Sequence, residues 1–350
     1  MLLILTLALI VQSSDMKPVL SLASGKANTE VSIFDSREYG DMSWGPQQYE
    51  VDNNECVYVH DVNREDPDNP INRILKFDST GHFLFVITPM SVPTLDKAWY
   101  GPFAIDPTTN DLVILGSHWQ DEPNYAIPQQ KAWFFRFSES GEFREAKEIG
   151  VITRASDLLY DYEGRFYSKY VDGGTEFDQN FMVEREIPKW MVAEQGYSQW
   201  SDWIGVATAH EFTPSDAAEG KFLTGLQNIN TGKQLRFVFY NPPYYLAGAG
   251  IEGIDRNHNV ILRGIKGNFL RINPVTKKVA FVNIYSLGVP RGVGDVRHGT
   301  MISPDGYLYQ ARLVRNDMEM LEYHIYRISP DMFTEVECDS IVEKDTEGEK

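Results

Sequence analysis

Cysteine is scarce in this chain: Cys56 and Cys338 are the only two among 350 residues. No metal-type cysteine spacing can be built from them. Positive charge is also short, with 32 Lys and Arg against 50 Asp and Glu and a formal net charge of −18. That balance excludes nucleic acid or an anionic membrane held by bulk electrostatics. Long apolar runs are missing. The best of them, Leu2 to Val11, is too short to span a bilayer. No long segment carries a clear helical period, which excludes coiled coils and helical solenoids. There is no phosphate loop, no dinucleotide fingerprint, and no Ser-His-Asp set with a recognisable context.

What is present is a repeat. The copies are YEVDNNECVYVHDV on Asp52, FAIDPTTNDLVILGSH on Asp106, DLLYDYEGRFYSKYV on Asp161, EFTPSDAAEGKFLTGL on Thr213, EGIDRNHNVILRGI on Asp255 and TMISPDGYLYQARL on Ser303. They recur roughly every fifty residues, about the length of a blade of four short strands. Each has two apolar runs that alternate with a period near two around a turn of Asp, Asn, Pro or Gly. Those turn residues tolerate the tight and left-handed conformations a hairpin needs. The pattern predicts an all-β fold: a six-bladed β-propeller of four-stranded antiparallel blades over residues 41–342. Hydrophobic residues at 42% and aromatics at 13% suffice for cores between blades. Radial closure would leave only short strand edges.

The remaining segments divide as follows. Residues 1–14 read as a signal peptide, because the apolar run is followed by Val11 and Ser13 at positions suited to cleavage. Export to the periplasm or the medium is therefore expected, with a monomer and no membrane span. Residues 15–40 form a leader whose candidate strand, Val31 to Phe34, would pair with the last blade and close the ring. Residues 343–350 read as an acidic tail. Cys56 and Cys338 fall in blades that closure makes neighbours, so a bridge or two separate thiols are both open. Asp172 to Trp203 reads as an insertion between blades three and four, with Trp190, Trp200 and Trp203 as a contact surface.

The first blade is the most regular. VYVHD is followed by RILKFDSTGHFLFVI, with Asp61, Arg73, Ile74, Phe77, Asp78 and Gly81 at fixed offsets. This stretch resembles the repeat of NHL-type six-bladed propellers. The likeness is good in blade one, fair in two, five and six, and poor in three and four. It implies the fold and leaves function open, because such propellers include enzymes, ligand binders and scaffolds.

Residues entering each innermost strand can face the central axis, where propellers bind or react. These are Trp44, Tyr100, Arg154, Asp157, His210, Glu211, Glu252, Arg297 and His298. The mixed polar and aromatic set could hold a small ligand. Binding is expected at Trp44, Tyr100, Arg154, Asp157 and Arg297, of a small molecule, protein or glycan. The alternative is a metal-dependent hydrolase or lyase using His210, Glu211 and His298.

Two enzyme families of similar fold sharpen that alternative. Lactonases of the gluconolactonase type hold one divalent metal and place a Glu directly before a Gly-Pro. Here Trp44 and Tyr100 precede Gly45-Pro46 and Gly101-Pro102, and neither ligates a hard cation. Amidating lyases hold zinc with three His from different blades. His210 and His298 fit two of those places, and blade two offers Gly101, Pro102 and Phe103 at the third. The loop Asp61 to Asn72, with Asp61, Asp66 and Asp68, is an oxygen-rich calcium candidate that matches no EF-hand spacing. No cofactor is firmly implied, and zinc or calcium are the metals these places could take.

Overall fold

The computed structural model of the protein describes residues 16–35, 43–63, 70–89, 98–118, 132–150, 157–160, 164–170, 173–188, 203–206, 221–228, 231, 233–240, 250–264, 266–293 and 299–344. Two N-terminal strands, β1 (Leu20–Ser24) and β2 (Glu30–Val31), precede a short pair, β3 (Phe34–Asp35) and β4 (Ser43–Trp44). The first sheet is β5 (Gln48–Val51), β6 (Val57–Asn63), β7 (Ile71–Phe77) and β8 (Phe83–Ile87). The second is β9 (Ala98–Ile105), β10 (Leu112–His118), β11 (Ala132–Phe137) and β12 (Phe143–Gly150). The third is β13 (Asp157–Tyr160), β14 (Phe166–Tyr170), β15 (Gly173–Phe177) and β16 (Val183–Pro188). The fourth contains β17 (Trp203–Val206), β18 (Lys221–Asn228) and β19 (Gln234–Tyr240). The fifth contains β20 (Gly250–Ile254), β21 (Val260–Arg263), β22 (Asn268–Ile272) and β23 (Val279–Asn283). A closing sheet contains β24 (Thr300–Ile302), β25 (Leu308–Arg315) and β26 (Leu321–Ile328). Then β27 (Thr334–Val336) and β28 (Ser340–Lys344) end the described chain.

The fold is an all-β propeller of four-stranded antiparallel blades. One local device repeats at the hairpins. Asp52, Asp78, Asp178, Asp255 and Asn316 each turn a side-chain oxygen back onto backbone N–H groups two and four residues ahead. Ser138 and Ser303 bond four residues ahead. Three residues after each stands a left-handed residue: Glu55, Gly81, Gly141, Phe181, His258, Gly306 and Glu319. This is a type I turn followed by a left-handed position, the usual three-residue hairpin loop. Three of the six repeat copies, on Asp52, Asp255 and Ser303, are centred on this turn.

Among the described residues five apolar cores join the sheets. Leu75 and Phe77 meet Leu313 and Tyr323 between the first and closing sheets. Tyr58 and Ile74 meet Phe103 and Phe135 between the first and second. Phe134 meets Phe166 between the second and third. Phe237 meets Leu262 between the fourth and fifth. Phe269 meets Tyr326 between the fifth and the closing sheet. Each such side chain contributes about 1.5–3 kcal/mol by leaving water.

Several expectations need correction. The first to fifth sheets are antiparallel throughout, but the sheet on Ser303 is mixed. After β26 the chain leaves towards β27, so that sheet lacks an outer strand of its own. Strand β1 supplies it, antiparallel to β26, and β2 adds parallel to β1. Six like blades thus become five, plus a mixed sheet where the chain closes. The closing strand is Leu20–Ser24 rather than Val31 to Phe34, because Leu20 and Leu22 alternate into the core. The C-terminal segment runs back along the ring. It adds β27 to β23 and β28 to β19, covering two outer edges. Glu343 of β28 pairs with Lys233 and Lys277.

The segment from Asp172 is not a single insertion. Residues 173–188 are β15 and β16, the outer hairpin of the third sheet. The two cysteines are free and lie apart, Cys56 beside the core of the first two sheets and Cys338 beside that of the fourth and fifth. Residues 1–14, expected to be a signal peptide, and Asp66, Asp68, Trp190 and Trp200 lie outside the described residues.

Candidate functional site

The innermost strands all run the same way, so the propeller has a strand-start face and a turn face. On the turn face, loops from different sheets bond to one another near the axis. Asn53 of the first sheet bonds Asn110 and the Pro107 carbonyl of the second. Arg256 of the fifth sheet reaches Asn53 at 3.4 Å and Asp305 of the closing sheet at 3.7 Å. These contacts tie the turn face together.

Two innermost strands carry bulges, which re-aim side chains. In β9 the register shifts around Gly101-Pro102, and Pro102 has no N–H to give. Side-chain amides of the first sheet replace the lost ladder. The Gln48 amide donates to the Phe103 carbonyl at 2.8 Å and accepts the Phe103 N–H at 3.1 Å. The Asn72 amide does the same for Tyr100, at 2.9 and 3.1 Å. Both amides are buried. They lock the first sheet to the second.

In β20 the register shifts between Ile251 and Gly253, with Glu252 at the shift. A Cβ on Gly253 would lie 2.9 Å from Ile302 of β24, so the glycine permits the close approach of these inner strands. The Glu252 carboxylate lies 3.6 Å from Arg263, the last residue of β21. Burial raises its pKa, and Arg263 and the Thr300 hydroxyl oppose that rise. The Gly299 carbonyl accepts from the Ala311 N–H at 2.8 Å, from the Tyr49 hydroxyl at 3.4 Å and from the Gln310 amide.

The alternation of β25 explains its other polar side chains. Tyr309, Ala311 and Leu313 point into the core with the first sheet. The intervening Leu308 faces the fifth sheet. Arg312, on the Leu308 side of the alternation, stands beside Tyr285 and Arg263. Its Nη1 donates to the Ala311 carbonyl at 3.1 Å, while Nε is buried without a hydrogen-bond partner among the described residues. Burial and the like charge of Arg263 lower its pKa, and Tyr285 and Tyr49 oppose this. Arg291 lies over the Tyr285 ring at 5.5 Å. Tyr285 sits in a short 3-10 turn, Ile284–Leu287, on the crossing from β23 to β24.

The expected site residues fall in different places. Tyr100 is fully buried among Phe135 and Phe137, with its hydroxyl on the Thr88 carbonyl, so it belongs to the core and not to the channel. Asp157 opens β13 and caps the Leu158 N–H at 3.0 Å. Trp44 opens onto β3 through backbone pairing with Phe34. Arg154, His210, Glu211, Arg297 and His298 lie outside the described residues, as do Asp66 and Asp68. Asp61 has both oxygens engaged, by the Ser32 N–H at 2.8 Å and Arg73 at 2.9 Å, and so pins the leader to the first sheet. Among the described residues no group of three or more His, Cys, Asp or Glu is gathered closely enough to hold a metal ion. The sequence reading missed Arg263, Arg291 and Arg312. Its available signal was YQAR, where polar residues interrupt an inward-facing alternation.

No family model matches the chain, and no curated protein matches it either. Among solved structures, a gluconolactonase from Xanthomonas campestris is similar over 52% of this chain at 12% identity, with a TM-score of 0.32. The match spans 60% of that enzyme's length. A Bacteroides fragilis protein named for export is similar over 89% of this chain and 94% of its own, at 9% identity and a TM-score of 0.39. The C-terminal WD40 domain of Sif2 is similar over 90% of this chain and 99% of its own, at 9% identity and a TM-score of 0.37.

Proposed function

We propose that this protein is a binding propeller, NHL-like in its repeat, that takes a ligand on its strand-start face. The observation that supports this most is the polar set Glu252, Arg263, Thr300 and Arg312, carried by β20, β21, β24 and β25. A bulge and a close glycine contact aim polar groups there, in place of the apolar residues that fill the rest of the core. The ligand is a small molecule; a protein or glycan on the loops around Trp203 is the broader form of the reading. The apolar run Leu2 to Val11 supports export, and the protein acts as a monomer. No helix among the described residues is long and apolar enough to cross a membrane. The test is a thermal-shift screen of a metabolite collection against the purified protein and its Glu252→Gln variant. A hit whose shift depends on Glu252 supports the reading. Hits indifferent to Glu252 would refute this site.

A metal-dependent hydrolase or lyase is the second reading. It draws on Gly299, whose carbonyl is held by three donors directly after His298. Elemental analysis of protein purified without chelator tests it. Stoichiometric zinc or calcium, lost on His298→Ala, would favour the enzyme.

A further inference from the structure

We infer that the strand-start face carries an oxyanion site, formed by Arg312 and Arg291 around Tyr285, for a small molecule bearing a carboxylate or phosphate. The inference rests on the binding reading above and names the chemistry its ligand brings.

The argument begins with charge. The chain has 50 acidic side chains against 32 basic ones. In such a protein a guanidinium ordinarily finds a carboxylate, and most described here do: Arg73 with Asp61, Arg144 with Asp111, Arg185 with Glu176, Arg315 with Asp35 and Arg327 with Glu55. Arg312 does not. Its neighbours are a carbonyl, two phenols and a second guanidinium. Leaving a half-buried cation beside a like charge is costly, and evolution has cheap apolar substitutes for that position. A planar donor fork with a free Nε edge fits an oxyanion in two-point contact.

Among the described residues Arg291, like Arg271, has no carboxylate at ion-pair distance. It lies over the ring of Tyr285, the same side chain that hydrogen-bonds Arg312. A Cβ on Gly292 would come within 3.0 Å of the Arg312 Cδ, so the loop that carries Arg291 packs directly on Arg312. The Val293 N–H bonds the Leu313 carbonyl at 2.8 Å and fixes that loop to β25. Arg263 adds a third guanidinium, only loosely engaged with Glu252 at 3.6 Å and half exposed. Glu252, the carboxylate nearest Arg263, adjoins the cluster on the Arg263 side. Its carboxylate would repel a second anionic group there and favour a hydroxyl or amine on the rest of the ligand.

Isothermal titration calorimetry with inorganic phosphate and, separately, with succinate tests this at low ionic strength. The variants are Arg312→Gln, Arg312→Lys and Arg291→Gln, with Lys278→Gln as a distant control. Circular dichroism checks each fold. The wild type is expected to bind at least one probe. Arg312→Gln should weaken it tenfold or more, roughly one lost charge-assisted contact. Arg312→Lys should fall between, because an ammonium lacks the fork. Arg291→Gln, on an exposed loop, keeps the test decisive if the Arg312 variants do not fold. Phosphate without succinate assigns a phosphate ligand, and the converse a carboxylate. The inference is overturned if the wild type binds neither probe, or if Arg291→Gln and a folded Arg312→Gln bind as the wild type does. A neutral ligand that binds in a Glu252-dependent manner, with no anion binding, would leave the binding reading standing and remove this one.

Discussion

Replacing Asn72 with Asp should convert the lock between the first two sheets into a pH-dependent weak point. Asn72 is buried, and its amide both donates to the Tyr100 carbonyl and accepts the Tyr100 N–H. An ionised Asp keeps the acceptor and loses the donor. It also sets a carboxylate oxygen against a carbonyl oxygen. Leaving the Tyr100 carbonyl without its partner costs about 1–3 kcal/mol, and the buried charge adds to that. A total of roughly 3 kcal/mol corresponds to a fall in Tm of about 4 °C for a chain of this size. Protonation restores a donor, so the variant should recover as the pH falls through its raised pKa. The sign follows from linkage: an acid whose folded pKa lies above its unfolded value favours folding at low pH and opposes it at high pH. Thermal denaturation at about pH 5 and pH 8 reads the effect. A variant within a degree of wild type at the higher pH, or with the same deficit at both, would refute the reasoning.

Other expectations follow from the same structure. Gly253→Ala should destabilise by about 1–3 kcal/mol through overpacking on Ile302. In a double-mutant cycle with Ile302→Ala, which removes the contacting Cγ1, the combined loss should be less than the sum of the two single losses in chemical denaturation. Asp61→Asn leaves Arg73 without its carboxylate and should cost about 3 kcal/mol; limited proteolysis near residues 26–32 should speed up as the leader loosens. Glu252 has a raised folded pKa, so its ionisation opposes folding as the pH rises through that value. Glu252→Gln should therefore gain Tm relative to wild type more at about pH 7 than at about pH 4, and a gain that does not change with pH would contradict the assignment.

The propeller was legible because its signal is physical and local. An Asp, Asn or Ser that folds back on the chain, with a left-handed residue three places on, recurs between alternating apolar runs. At Phe181 a bulky apolar residue holds the left-handed position, so the turn reads as part of an apolar run and not as a break between two. Residues 173–188 consequently read as an insertion. Phe181 tolerates the conformation because it is buried against Phe134 and Phe166 and under Arg136. Sheet composition was not legible, since nothing local in Ser340–Lys344 announces that it pairs with β19, a hundred residues earlier in the chain. Glu252 was visible as a polar residue entering an inner strand. Tyr100 looked the same and is core, because only the three-dimensional bulge at Gly101-Pro102 decides which way its ring turns. The arginines around Tyr285 come from three separate segments, and no spacing links them.

The most direct test is a crystal structure of the wild-type protein grown with the strongest ligand from the thermal-shift screen. The account predicts ligand density on the strand-start face between β20 and β24, in contact with Glu252 or Arg312. Density confined to the turn face around Asn53 and Arg256, or to the outer edges covered by β27 and β28, would contradict it.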